Sequence, residues 1–461
     1  MVIQGSTRRQ ILRGSGIGAA GLIAGCLGTG GGGSEDELHI MTDYTGDAWD
    51  KHWNTLTDGF NEQNDISINL EKVGMQGTGG QRLATLMQSG NPPEMFHGTI
   101  TQIGDLVNIG RTQSVSGVVD DLADEWGEAM FRDTITPIEG ETHMIPHGVY
   151  AGGTLNYRAD LYAELGLEEP ETWSELVENV KAIDEAGIET SQGDKVRGFA
   201  LPAQPAGKPG SDFSNWLYNA GGDVWQPGTE NDLELWLDED HVLAVFDHLN
   251  ELANYSPDPS GLNWTSTIED WTLGRLGHCI MNNAWLCGPA IANGLTDLAL
   301  ATEQTLIPKR EGADPIQRGW VLADGTPVIN GSSNPDTAKD FGRHMYGAEQ
   351  GVATTLVEPM RFMPPYRGIL ETDEYQSHEY FQMEDGAFLE KQRYCMDEIA
   401  PKLTSEEAVT TPETLHINSM DITSEAVNRL VVSGNDPQDV YDWTISEYES
   451  ALEDVQSQSN Y

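Results

Sequence analysis

The chain has 461 residues, with 74 acidic against 25 basic side chains and a formal net charge of −49 at pH 7. That balance excludes nucleic acid as a natural partner, because no basic surface exists to neutralise phosphates. The length is too great for one hydrophobic core and suits two domains. The acidic residues are scattered through ordinary helical patterns rather than gathered in blocks, which argues for a folded body with a solvated acidic surface and against disorder. Such a surface suits very high salt, where screening is nearly complete within a few ångströms.

Residues 1–25 read as an address. Ser6-Thr7-Arg8-Arg9-Gln10-Ile11-Leu12 is a twin-arginine pattern, and the Gly/Ala/Ile/Leu run from Gly14 to Gly25 is too short to span a bilayer. Ile23-Ala24-Gly25-Cys26 resembles a lipoprotein cleavage box, so Cys26 is the expected lipid attachment site; the bland alternative is a plain signal with a chance cysteine. Residues 26–35 are a Gly-rich flexible tether. The expected location is the extracellular face of the cell membrane, lipid-anchored. Three cysteines follow: Cys279, Cys287 and Cys395. Their spacing matches no zinc motif, and no metal or other cofactor is expected. A Cys279–Cys287 bridge in an oxidising compartment and buried free thiols are both open readings.

The body alternates strand and helix. Leu38–Met41 reads as a strand; Trp49, Trp53, Leu56 and Phe60 mark one face of a helix over 47–60; Asn64–Val73 alternates as a second strand. A helix led by Gly77-Thr78-Gly79-Gly80 and a short strand Glu94–His97 complete a β-α-β-α-β series, which implies a mostly parallel sheet flanked by helices in an α/β fold. Thr154–Tyr157 is extended. Thr172 is placed to cap a helix over 174–186, with Glu175 completing a capping box. Further on, strands are expected at Phe199–Pro202, Cys279–Met281, within Leu298–Pro308 and as a pair in Val321–Ile329. Helices are expected at Phe213–Asn219, Val242–Ala253, Thr337–Tyr346, Thr423–Val432 and Pro437–Val455.

Four stretches carry a resemblance. Leu86–Phe96 is similar to a helix, Gly, Pro-Asp, strand junction, with Glu94 in place of the Asp. Leu155-Asn156-Tyr157-Arg158-Ala159-Asp160-Leu161, Gly166-Leu167 and Glu171–Leu176 resemble a Tyr-Asn-Lys-Asp-Leu, Gly-Leu, Pro-x-Thr-Trp-Asp-Glu-Leu run, with Asn156-Tyr157 swapped. Thr272–Arg275 through Asn283-Ala284-Trp285 resembles a strand ending Gly-x-Trp, with Asn283 where Gly is common. Thr326–Phe341 resembles a strand, Ser-x-Asn, helix unit. Together they resemble the extracellular solute-binding proteins of ABC importers, in the sugar-binding, maltose-binding-protein-like branch; the acidity resembles proteins of halophilic archaea. The resemblance implies a two-lobed periplasmic-binding-protein-like fold, each lobe a mostly parallel sheet flanked by helices, with discontinuous chain and hinge crossings. Mapped on this chain, lobe one is 36–148 and 309–356, and lobe two is 149–308 and 357–455. It also implies a monomeric receptor, with no enzymatic activity, that captures a sugar or oligosaccharide in the cleft and hands it to a permease and, through it, the ATPase subunits.

A sugar site needs aromatic platforms and fixed polar groups. Loop aromatics without helical spacing are the candidates: Tyr44, Tyr150, Trp216, Trp225, Trp285, Trp320 and Phe362, with Trp264 in the same group. Gly221-Gly222-Asp223-Val224-Trp225 resembles a loop that reaches the cleft in the family, with Asp223 to hold a hydroxyl pair. Asn283 and Trp285 follow a strand end, as do His97 and Gln102, where α/β sheets place ligands. Asp47 is either a ligand contact or a helix N-terminal carboxylate, and Arg361 either a ligand contact or a partner of nearby carboxylates.

Competing readings are weaker. No Lys-Ser/Thr follows the 77–80 glycines, which opposes a nucleotide site, and Pro146 between His143 and His147 opposes a helical metal pair. The body has no G-x-S-x-G elbow, so a secreted glycan-active enzyme is a remote alternative. A same-fold receptor for ferric ion, a polyamine or a phosphorylated polyol is the nearer one.

Overall fold

The structure is a computed structural model, and it describes residues 37–73, 78–98, 103–104, 106–107, 109–127, 140–205, 207–229, 233–403 and 411–458. The twin-arginine segment, Cys26, the tether, Gln102 and Gly77 lie outside the described residues.

The first sheet has the order β2-β1-β3, built from β1 (Glu37–Thr42), β2 (Ser67–Lys72) and β3 (Met95–His97), all parallel. Helices α1 (Asp47–Asn64) and α2 (Thr78–Gln88) make the crossovers, and α1 buries Trp49, Trp53, Leu56 and Phe60, the face its spacing indicates. A helix the sequence reading missed, α3 (Ser116–Trp126), buries Val118, Val119 and Leu122. Then come two strands in succession, β4 (Ile145–Gly152) and β5 (Thr154–Arg158). β4 is buried along its whole length and pairs antiparallel with β8 (Trp320–Thr326). The Val321–Ile329 segment is therefore one strand with isolated bridges beyond it, not a strand pair.

β5 belongs to the other sheet, of order β6-β5-β7, with β6 (His278–Met281) and β7 (Thr302–Leu306) both antiparallel to it. A mostly parallel sheet was expected here. Among the described residues the parallel character survives in single bridges, Ala200 to Cys279, Arg197 to Leu276 and Thr172 to Lys309, so Phe199–Pro202 is an extended segment and not a full strand. Around this sheet stand α4 (Trp173–Glu185), α5 (Lys208–Ala220), α6 (Glu239–Ala253) and α7 (Trp264–Thr272). The Thr172 side chain accepts from the Glu175 N–H and the Glu175 carboxylate accepts from the Thr172 N–H, a complete capping box. α8 (Pro335–Tyr346) returns to the first core, and the long α9 (Pro437–Gln458) lies on the second.

Two main cores result. One gathers residues of β1, α1, α3, β4, β8 and α8; the other gathers α4, α5, α6 and α9. Residues 360–403 pack into the first core, through Phe362, Tyr366, Tyr375, Phe381 and Leu403, whereas residues 417–455 join the second. The first core also takes in Ala284, Cys287 and Ala290, and the 357–455 segment thus divides its buried side chains between the two cores. The cause is that Phe362 and its neighbours are covered by β4: a Cβ at Gly148 would stand 2.6 Å from the Phe362 ring, and one at Gly152 1.9 Å from the Trp320 ring. Glycine at both points lets two aromatic rings lie directly on the strand.

Cys279, Cys287 and Cys395 are free and buried, so no Cys279–Cys287 bridge forms, and burial pushes the Cys287 and Cys395 thiols up to about 12.

Candidate functional site

The two sheets and the β4/β8 pair meet at one place, past the carboxyl ends of β1, β3 and β6. Open α/β sheets leave a crevice at such strand ends. Tyr44, two residues past β1, donates its phenol proton to Asp324 Oδ2 at 2.5 Å. Tyr150 of β4 donates to Oδ1 of the same carboxylate at 3.0 Å. Asp324 sits on β8, buried, and unites the first sheet with the β4/β8 pair.

Arg361 lies at the centre of the next layer. Its Nη1 donates to Glu358 Oε2 at 2.6 Å, and Glu358 also accepts from Trp49 Nε1 at 2.7 Å. The guanidinium carbon stands 5.1 Å from the Tyr44 ring centroid, 4.8 Å from Trp285 and 4.8 Å from Phe362, so one cation covers aromatic faces from both sheets. Trp285 in turn lies 6.1 Å from Trp264 at an interplanar angle of 31°. Beyond Trp264 is Lys208, fully buried, 4.6 Å from that ring and bonded to Asp212 at 2.5 Å and to the Ile280 carbonyl at 2.8 Å. Trp264, Trp285, Trp320 and Arg361 are each half-buried, a partly open set of faces around a closed floor.

The backbone here is held in uncommon shapes. Asn283 has φ +44° and Met360 φ +77°. Asn283 accepts from the Ala151 N–H at 2.6 Å and donates to the Arg361 carbonyl at 2.9 Å, tying β4 to the 358–363 loop. Strain of this kind persists only where surroundings over-determine it, and it gathers at working sites.

The floor is electrostatically unusual. Burial, reinforced by Asp324 and only partly offset by Arg361, pushes the Asp43 carboxyl up to about 7. Burial and the Asp324 charge hold the Tyr44 and Tyr150 phenols well above their ordinary value. Burial alone would lower Arg361, yet Glu358, Tyr44 and Asp324 keep it above its usual range. His97 and His147 stand behind Tyr44, at 4.0 and 5.3 Å between ring centroids. Both are fully buried; burial drives His147 down to about 3 and His97 well below the imidazole range, so both are neutral.

Of the residues the sequence singled out, Tyr44, Tyr150, Trp285, Trp320, Arg361 and Phe362 come together here, with Trp320 edge-on to Tyr150 at 5.5 Å. His97 and Asn283 are at the same place but buried, where they support other groups and present no open face. Asp47 is exposed in the first turn of α1, the position of a helix N-terminal carboxylate.

Three candidates belong elsewhere. Trp216 is fully buried in the second core, edge-on to Trp173 and His248, because it lies on the inner face of α5. Trp225 is buried against Tyr448 of α9 and bridges Leu235. Asp223 is consumed by its own loop: it accepts from the Val224 and Trp225 N–H groups and from Gln317 Nε2. Residues the sequence reading passed over are Asp43, Glu358 and Asp324. A lone carboxylate inside the apolar run Trp320–Thr326 was the available signal for Asp324.

Comparison with known proteins agrees with this architecture. The GacH receptor of Streptomyces glaucescens GLA.O, solved unliganded and with acarbose, is 16% identical, with a TM-score of 0.70 over 91% of this chain and 99% of that one. A solute-binding protein of an ABC transporter from Agrobacterium radiobacter K84, in complex with ribitol, is 17% identical, TM-score 0.70, over 90% and 98%. Maltose-bound MalE3 of T. maritima is 14% identical, TM-score 0.70, over 90% and 99%. At these identities the likeness establishes the two-lobed α/β fold. No curated protein matches the sequence. The family model described as bacterial extracellular solute-binding protein matches residues 42–352, most of the chain from the end of β1 to past α8, and the chain belongs to that family.

Proposed function

We propose that this protein is the receptor of an ABC importer for a sugar or oligosaccharide, and that the site at Tyr44, Trp285 and Arg361 is its ligand cleft. The observation that carries the reading is the set of half-buried indoles, Trp264, Trp285 and Trp320, beside the buried polar floor of Asp324, Tyr44 and Tyr150. Flat apolar faces suit the C–H faces of a sugar ring, and fixed carboxylate and phenol groups suit its hydroxyls. The sugars and polyols named for the structural relatives support the same class. The protein binds without turning over its ligand. The lobes hinge at β4, β8 and the 358–363 loop, with 36–148 and 309–356 on one side, 149–308 on the other, and 357–455 shared between them. The protein is a monomer held at the outer face of the membrane by lipid on Cys26, and it delivers its solute to a permease and, through that, the ATPase subunits.

The test is a titration of the mature chain, in multimolar salt, with mono- and oligosaccharides, followed by tryptophan fluorescence and calorimetry. A saturable response to one or a few sugars, without product, is expected. Product formation, or silence to every sugar alongside a response to ferric ion, a polyamine or a phosphorylated polyol, overturns the reading. For the anchor, Cys26→Ala should release the protein from the membrane fraction and abolish incorporation of labelled fatty acid; unchanged membrane association overturns it.

A further inference from the structure

Three carboxylates and one guanidinium meet at the floor of the site: Asp43, Asp324, Glu358 and Arg361. Glu358 and Arg361 neutralise each other across 2.6 Å. Asp324 receives the phenol protons of Tyr44 and Tyr150. Asp43 is left over. It is 6% exposed, and among the described residues the one hydrogen bond to its carboxylate comes from its own backbone N–H. Arg361 is near enough for Asp43 to feel it, but that cation is already committed to Glu358 and to three aromatic faces. His97 and His147, the nearby titratable rings, are buried and neutral and add no positive charge.

A buried carboxylate with a single backbone donor and a counter-charge already shared with other groups is costly. Sugar hydroxyls would supply donors and leave the excess charge in place. A cationic group supplies both donors and opposite charge. An anionic solute would add to the surplus. We infer that the solute this cleft selects is an amine-bearing sugar, with its protonated amine paired to Asp43. This rests on the sugar reading above and sharpens it. Because the pair is buried, the high salt that screens the protein's surface weakens it little.

The test compares a matched pair of disaccharides, fully de-N-acetylated chitobiose and its N,N'-diacetyl form, on the mature chain by calorimetry, at a pH where the free amines are protonated. The amine form should bind about tenfold more tightly or better, equivalent to about 1.4 kcal/mol. In Asp43→Asn that ratio should fall towards one. The ratio in the unaltered protein decides the matter even if the variant folds poorly. Equal affinities, tighter binding of the acetylated form, or a ratio that survives Asp43→Asn each overturn the inference. Silence to both with a saturable response to maltose overturns the amine and leaves the sugar reading intact. Silence to every sugar with tight binding of spermidine removes the sugar reading and this inference with it.

Discussion

Replacing Trp285 by alanine should strike binding harder than folding. The indole is half-buried, so part of its face is free, while its other contacts are Trp264 at 6.1 Å and the Arg361 guanidinium at 4.8 Å. A tryptophan offers roughly 150–250 Å² in all, and a stacked sugar ring covering about 80 Å² of it gains about 2 kcal/mol at roughly 25 cal/mol per Å². Loss of that face corresponds to about a thirtyfold rise in Kd. Calorimetry on the mature chain reads the affinity, and a urea titration run in parallel reads the fold. Trp285→Phe, which keeps a smaller face, should fall between. If Trp285→Ala stays within twofold of the unaltered protein while the urea midpoint is also unchanged, this ring is not a ligand platform.

Trp216→Ala should do the opposite, destabilising the chain by about 3–5 kcal/mol in denaturant, because the fully buried ring leaves a cavity, while the folded fraction keeps its affinity. Asn283→Ala removes the bonds to the Ala151 N–H and the Arg361 carbonyl and leaves a β-carbon at φ +44°. A loss of about 2–3 kcal/mol is expected, with Asn283→Gly less severe because glycine tolerates the backbone though it cannot make the bonds. Acid should weaken the fold from about pH 6.5 downward. His147 and His248 have folded values near 3 and His278 near 4, so below 6.5 the unfolded chain takes up protons that the folded chain refuses. That stability is complete above 6.5 and drains away towards pH 3. Asp184 and Asp160, whose folded values are lowered, act the same way as pH falls below the ordinary carboxylate range. Asp43, Asp212 and Asp223, raised to about 7, 6 and 6, oppose it: their contribution is present below about 4 and lost as pH rises through 6 to 7. His97, held well below the imidazole range by burial, and His52, lowered to about 4, join the first set, so five imidazoles outweigh three carboxyls; urea midpoints that fail to climb between pH 4 and 6.5 would refute the balance.

The contrast between Trp216 and Trp285 marks how far residue patterns reach. Phe213, Trp216, Leu217 and Ala220 recur at 3, 1 and 3, one face of α5, so the core position of Trp216 was readable from spacing alone. Asn283 was readable too: an asparagine where the family favours glycine points to positive φ, and the angle is +44°. The capping box at Thr172 and Glu175 is local chemistry and needed nothing else. The direction of β5 was not readable, because inward and outward side chains alternate with the same period in parallel and antiparallel strands. Nor was the fate of the 221–225 loop, which is decided by Tyr448, a residue on the last helix.

The floor of the site lies furthest from sequence logic, and for a physical reason. Tyr44 and Asp324 are separated by 280 positions and joined by one hydrogen bond; Trp49 and Glu358 by 309. Each residue taken alone has an ordinary explanation: a tyrosine after a strand, a carboxylate on a very acidic chain. Only their convergence separates Asp43, Asp324 and Glu358 from the other acidic side chains, because on the surface a carboxylate is solvated and cheap, while here it must be paired. In a chain with 74 acidic residues, composition therefore hides the functional carboxylates, and burial without an ion pair of its own among the described residues is the property that picks out Asp43.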